Sequence, residues 1–82
     1  MPYIKTEGRD TLDKLIRQFG PMSAGELNYC MTRLCSRFLA SRMNYEGIAL
    51  VTGVIENVKQ ELYRRIASNY EDQKMAENGD VY

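Results

Sequence analysis

Asn44 to Tyr82, NYEGIALVTGVIENVKQELYRRIASNYEDQKMAENGDVY, is the stretch that decides the fold. Asn44 is a good helix N-cap, because its short side chain can accept from a backbone amide of the first turn. Apolar side chains then recur at Ile48, Val51, Ile55, Val58, Leu62 and Ile66. From Ile48 to Leu62 the spacing alternates between three and four. That is a heptad seam, the form that packs against other helices at shallow angles. Leu50 and Val54 make a second apolar set to one side, with Gly47 near it. The seam can face two other helices of the chain, but the second set needs a further cover. Gly53 sits in the helix interior, where glycine costs about 1 kcal/mol relative to alanine. Close backbone approach is one reason for such a glycine, and a tolerated defect is the other. After Ile66 the pattern weakens at Ser68-Asn69. The spacing predicts a third helix over 45–68, a break or kink, and a short fourth helix over 70–77. Asn69 would cap it, Glu71 and Asp72 would suit its first turn, and Asn78-Gly79 would end it. An uninterrupted helix from Tyr45 to Glu77 is the alternative.

Upstream, residues 1–10 read as an arm, with Pro2 disfavouring early helix and Tyr3 and Ile4 to tuck away. Leu12, Leu15, Ile16 and Phe19 are an amphipathic signature for a first helix over 10–19, capped by Thr6 or Asp10. Gly20-Pro21 stops it. Ser23-Ala24-Gly25-Glu26 matches a capping box, in which serine and glutamate each accept from the other's backbone amide. It opens a second helix over 24–42 with an apolar face of Leu27, Cys30, Met31, Leu34 and Phe38. Arg42-Met43-Asn44 is a tight turn, and short turns make antiparallel neighbours. The chain therefore reads as one all-α domain, 1–82: an antiparallel hairpin or bundle of three main helices plus a short C-terminal one.

A chain of 82 residues hides only roughly 60% of its unfolded surface, so a lone core is marginal. Small domains add disulfides, a metal or a partner subunit. There is no histidine, and Cys30 and Cys35 are five apart on one helix, poorly placed to bridge. Self-association is the remaining support, with a homodimer or higher homo-oligomer expected through Leu50, Val54 and Val58. No apolar run approaches the ~20 residues of a membrane span. The N-terminus lacks the regions of a signal peptide, and a reducing cytoplasm is the expected setting. Eleven basic and eleven acidic residues cancel, but unevenly. Met1 to Arg42 carries seven basic and four acidic residues, whereas Glu71 to Tyr82 carries one lysine and four carboxylates. A phosphate-tracking protein would carry a basic excess, so nucleic acid is not an expected partner. The acidic tail either folds back on basic residues of this chain or a neighbour, or stays solvated.

Several pieces carry a resemblance: Met1-Pro2-Tyr3-Ile4, Gly25-Glu26-Leu27-Asn28-Tyr29, Gly53-Val54-Ile55-Glu56, Lys59 and Tyr63-Arg64-Arg65. The closing motif Y-E-D-x-K-x-x-E-N-G-D-V-Y, from Tyr70 to Tyr82, is the most distinctive. Across nearly all its length the chain resembles a family of small uncharacterised proteins of tailed phages and bacteria. Asn69 stands where that family carries a proline. The resemblance implies the bacterial cytoplasm, in the setting of phage infection, and carries no assigned activity with it.

Catalysis has little to stand on. The commonest general base is missing, and the two cysteines lie on or near an apolar helix face as core thiols. Glu46, Glu56 and Glu61 are the carboxylates for a magnesium-dependent nucleotide hydrolase, but their spacing spreads them around the helix. No cofactor or metal is expected. The reading is a non-enzymatic binding or assembly module. An alternative is sequestration of a nucleotide-type signal at a subunit interface, as phage counter-defence. In that case Tyr45, Tyr63 and Tyr70, aligned on one flank of a regular third helix, would stack on the base. Arg64 or Arg65 of one subunit and Arg33 or Arg37 of another would meet the phosphates.

Overall fold

The computed structural model describes residues 4–82, so the arm residues Met1, Pro2 and Tyr3 lie outside it. Among the described residues there is no strand, and the all-α expectation holds. The elements are α1 (Thr6–Arg17), α2 (Ala24–Leu39), α3 (Tyr45–Leu62), a π-helical turn (Tyr63–Ala67) and α4 (Ser68–Asn78).

The capping box forms. The Glu26 amide donates to Ser23 Oγ at 3.1 Å, and the Ser23 amide donates to Glu26 Oε1 at 2.8 Å. Together they satisfy two of the amides that a helix start leaves orphaned. The Ser23 backbone amide first, and then the Ser23 side chain, hold the Glu26 carboxyl below its usual range. Asn44 caps α3 as read from the sequence, accepting from the Gly47 amide at 2.8 Å. Gly20 and Gly79 both take positive φ, at 62° and 85°. Asn78 is instead the last residue of α4.

Three local expectations are corrected. First, α1 starts at Thr6, and neither Thr6 nor Asp10 caps it. Lys5 holds the N-cap position without a side-chain hydrogen bond. The helix also stops at Arg17, because Gln18 and Phe19 tighten into three-residue bonds to Leu15 and Ile16 ahead of Gly20. Second, α2 ends at Leu39 and not at residue 42. The turn needs the extra residues: the Arg42 amide bonds Leu39 O and the Asn44 amide bonds Arg42 O, both at 2.8 Å.

Third, the helix does not break at Ser68-Asn69. Ala67 and Ser68 keep right-handed helical angles. Asn69 turns its side-chain amide back to the Arg65 carbonyl at 2.8 Å, four residues earlier, and so does not cap a new helix. The irregularity is the wide turn at Tyr63–Ala67. The structure follows the alternative, a helix unbroken from Tyr45: α3, that turn and α4 are one rod of 34 residues, which at 1.5 Å per residue is about 50 Å long. The longest dimension of the molecule is also 50 Å.

Packing is sparse. Met31, Leu34, Cys35 and Phe38 of α2 lie beside α3 around Val51, Val54 and Ile55. Close approach is confined to this pair of separate helices, since no Cα of α1 comes within 8 Å of one in α2 or α3. The seam therefore faces α2 alone, where two helices were expected. Among the described residues Val51 is the buried hydrophobic one, 8% exposed, whereas Leu62 is 53% and Ile66 62% exposed. Gly47 is buried for a specific reason: a Cβ there would overlap the Arg42 carbonyl oxygen. The Arg42 guanidinium closes the same corner, 4.1 Å above the Phe38 ring, with Nη1 donating to Phe38 O.

Candidate functional site

The wide turn gathers four of the residues singled out from the sequence. A π turn takes up one residue more than a regular one, and such turns are frequent at functional sites. Here the extra residue brings Tyr63 and Glu71, eight apart, onto one face. The Tyr63 hydroxyl donates to Glu71 Oε2 at 3.2 Å. That bond, with the Glu71 charge behind it, raises the Tyr63 hydroxyl above its ordinary value. Just before the turn, Glu61 accepts from two guanidiniums. Arg65 Nε approaches at 2.7 Å, and Arg64 Nη2 spans both oxygens at 3.1 and 3.2 Å. Arg65 first, then Arg64, hold the Glu61 carboxyl below its usual range. Tyr70 follows one turn later, with the Lys74 ammonium 5.6 Å from its ring centre.

The other named residues lie elsewhere. Tyr45 is at the far end of α3 and is 94% exposed. It is 18 residues from Tyr63, about 27 Å along a helix. The three tyrosines therefore make no single platform, and the wide turn removes the regularity on which the alignment of Tyr70 depended. Arg33 and Arg37 line a groove of about 480 Å³ on α2 with Phe19, Tyr29, Cys30 and Leu34. Neither has an ion-pair or hydrogen-bond partner among the described residues. Arg64 and Arg65 line grooves on the rod.

The carboxylates weighed for magnesium are also apart. Glu46 stands in the first turn of α3, Glu56 pairs with Lys59 and Gln60, and Glu61 is held by its two arginines. Among the described residues no three Cys, Asp or Glu side chains are grouped closely enough to hold a metal ion.

An open apolar groove lies on the rod itself. Val54, Val58, Leu62 and Ile66, rimmed by Asn57, Glu61 and Arg65, line a groove of about 340 Å³. A second groove, about 420 Å³, runs along the other flank through Met31, Ile55 and Tyr63. Val54 and Val58 were named from the sequence as self-association residues, and they line the first groove. Leu50, the third, is half exposed. Sequence reasoning missed the Tyr63–Glu71 link, because eight residues is not a spacing that a regular helix brings together. It also missed the Gly47–Arg42 contact, although a glycine three residues after an Asn cap was there to be weighed.

Fold and surface together define an all-α chain with a two-helix hairpin at one end of a long rod, and wide apolar grooves along that rod. The chain belongs to the family described as Domain of unknown function (DUF6899), which matches residues 1–81. Comparison with curated proteins and with solved structures finds no match. Among the described residues no helix is long and apolar enough to cross a membrane.

Proposed function

We propose that this chain is a non-enzymatic, homo-oligomeric binding or assembly module whose apolar grooves are closed by further copies of itself. One observation carries the reading. The chain exposes 7682 Å², against about 5,000 Å² for a globular chain of this length. Its radius of gyration is 16.6 Å, where a compact domain would have about 12 Å. The excess of roughly 2,700 Å² is about what one partner hides in a large obligate dimer. Leu50, Val54 and Val58 are the self-association residues of this reading. The sequence resemblance supports a bacterial cytoplasm as its setting, during phage infection. Light scattering coupled to gel filtration tests it: the reading expects twice the chain mass or more. A single-chain mass with full helicity contradicts it.

A second reading, sequestration of a nucleotide-type signal, has one favourable observation. Among the described residues Arg33 and Arg37 have no partner, and they line a groove with Phe19 and Tyr29. Stacking on an aromatic face with two guanidiniums for phosphate is a workable anion site. Against it, Tyr45 stands apart, and Arg64 and Arg65 already share Glu61. Thermal shift with a panel of cyclic and linear nucleotides decides. A flat response across the panel removes this reading.

A further inference from the structure

We infer that the groove beside Arg33 and Arg37 takes the segment Asp80-Val81-Tyr82 of a second copy of the chain. The inference rests on the self-association proposed above and names one contact that makes it. This groove presents charge as well as apolar surface. Arg33 and Arg37 are exposed on α2, flanked by Phe19, Tyr29 and Leu34. Like charges four residues apart on a helix repel, and an anion bound by both removes the repulsion. Among the described residues neither arginine has an ion-pair or hydrogen-bond partner. The segment supplies the complementary groups. Of the carboxylates from Glu71 onward, Glu71 bonds the Tyr63 hydroxyl and Glu77 pairs with Lys74. Among the described residues Asp80 is in no ion pair. Its Oδ1 accepts from the Tyr82 amide at 2.9 Å. Val81 and Tyr82 follow it, both exposed. A carboxylate followed by an apolar side chain and a ring suits two guanidiniums beside Leu34 and Phe19.

The donor has to be another copy. Met31 lies beside Ile55, and Leu34 and Phe38 beside Val51 and Val54, which sets Arg33 and Arg37 level with residues 51–55 of the rod. From that level the helical rod runs on to Asn78, about 34 Å further. Gly79 and Asp80 reach back only about 7 Å when extended. The gap that remains is more than two side chains span, so Asp80 does not return to its own α2. Charge also sets the direction of the pairing. Met1 to Arg42 carries seven basic and four acidic residues, and Glu71 to Tyr82 one lysine and four carboxylates. Rods laid parallel would set like charge against like, whereas antiparallel rods set basic against acidic at both ends. Antiparallel rods also put the Asp80 of each copy beside the hairpin of the other. Both contacts then form together, and the pair is isologous and closed.

Charge reversal followed by mixing tests the contact. One preparation carries Arg33→Glu and Arg37→Glu together, and a second carries Asp80→Arg. Sedimentation over a dilution series gives the dissociation constant of each alone and of an equimolar mixture. Each preparation alone sets like charges together at both contacts, so association weakens by roughly tenfold or more. A mixed pair has one native and one reversed contact, and its affinity returns to within about threefold of the unsubstituted protein. A mixture no tighter than its components overturns the docking. So does unchanged affinity for Asp80→Arg, a variant outside every helix that decides the matter even if the double substitution lowers helicity. A nucleotide-induced thermal shift that Arg33→Glu and Arg37→Glu abolish, with Asp80→Arg associating as the native chain does, gives the groove to a free anion and overturns it too. A single-chain mass for the unsubstituted protein removes the proposed function as well. A stable oligomer indifferent to both preparations overturns this contact alone.

Discussion

The two halves of the rod carry the same kind of sequence and end in different states. Near Gly47 and Val51 the rod is pinned. Asn44 caps it, Arg42 closes over Phe38, and a glycine lets the turn's carbonyl touch the helix. From Val54 to Ile66 the apolar spacing continues, yet those side chains line open grooves. The apolar pattern does not distinguish the halves, because it says only which side of a helix wants cover. What differs is reach. A helix of 16 residues is about 24 Å long and cannot shield a rod twice that length.

That contrast can be broken experimentally, and the open half gives the largest effect. If it is an interface, Val58→Asp leaves a charge buried without a partner. Urea unfolding then shows a loss of about 3–5 kcal/mol. If the half faces water, the loss stays below about 0.5 kcal/mol.

At the pinned half, Gly47→Ala is expected to cost about 1–3 kcal/mol, since the new methyl group meets the Arg42 carbonyl. An ordinary helical glycine would gain about 1 kcal/mol from the same change. The sign of the shift in unfolding midpoint therefore reports the contact directly.

Ser23→Ala removes half of the capping box and is expected to cost about 1 kcal/mol. Its effect is local to the start of α2, so helicity at 222 nm should fall slightly before the main transition.

The smallest effect is acidic. Glu26 and Glu61 both have carboxyls held below the ordinary 4.5. A depressed folded value means that the stabilisation is complete above the unfolded value and is lost as pH falls through the folded one. Glu26 is exposed and Glu61 keeps 32% of its side chain in water, so the change is small. Circular dichroism should be flat from pH 7 to about 5 and decline below 4.5, with high salt blunting the Glu61 part.

Much of the fold was legible because it is written in local chemistry. The capping box at Ser23–Glu26, the Asn44 cap and the positive-φ glycines at residues 20 and 79 are each decided within four residues. The continuity of the rod was less legible, because Asn69 serves as readily to bond back into a helix as to cap a new one. The wide turn at Tyr63–Ala67 left no trace in a 100° periodicity, and with it went the Tyr63–Glu71 bond. The candidate site was half legible. Tyr63, Arg64, Arg65 and Tyr70 are together because they are neighbours in sequence. The distance of Arg33, Arg37 and Tyr45 from them depends on where α2 stops and how far the rod runs.

The central claim is that this chain holds its fold by sharing apolar surface with copies of itself. Thermal unfolding followed by circular dichroism over a hundredfold range of protein concentration tests it most directly. Folding coupled to association predicts a midpoint that falls by roughly 5–10 °C on hundredfold dilution. A cooperative transition whose midpoint does not move with concentration would contradict the claim.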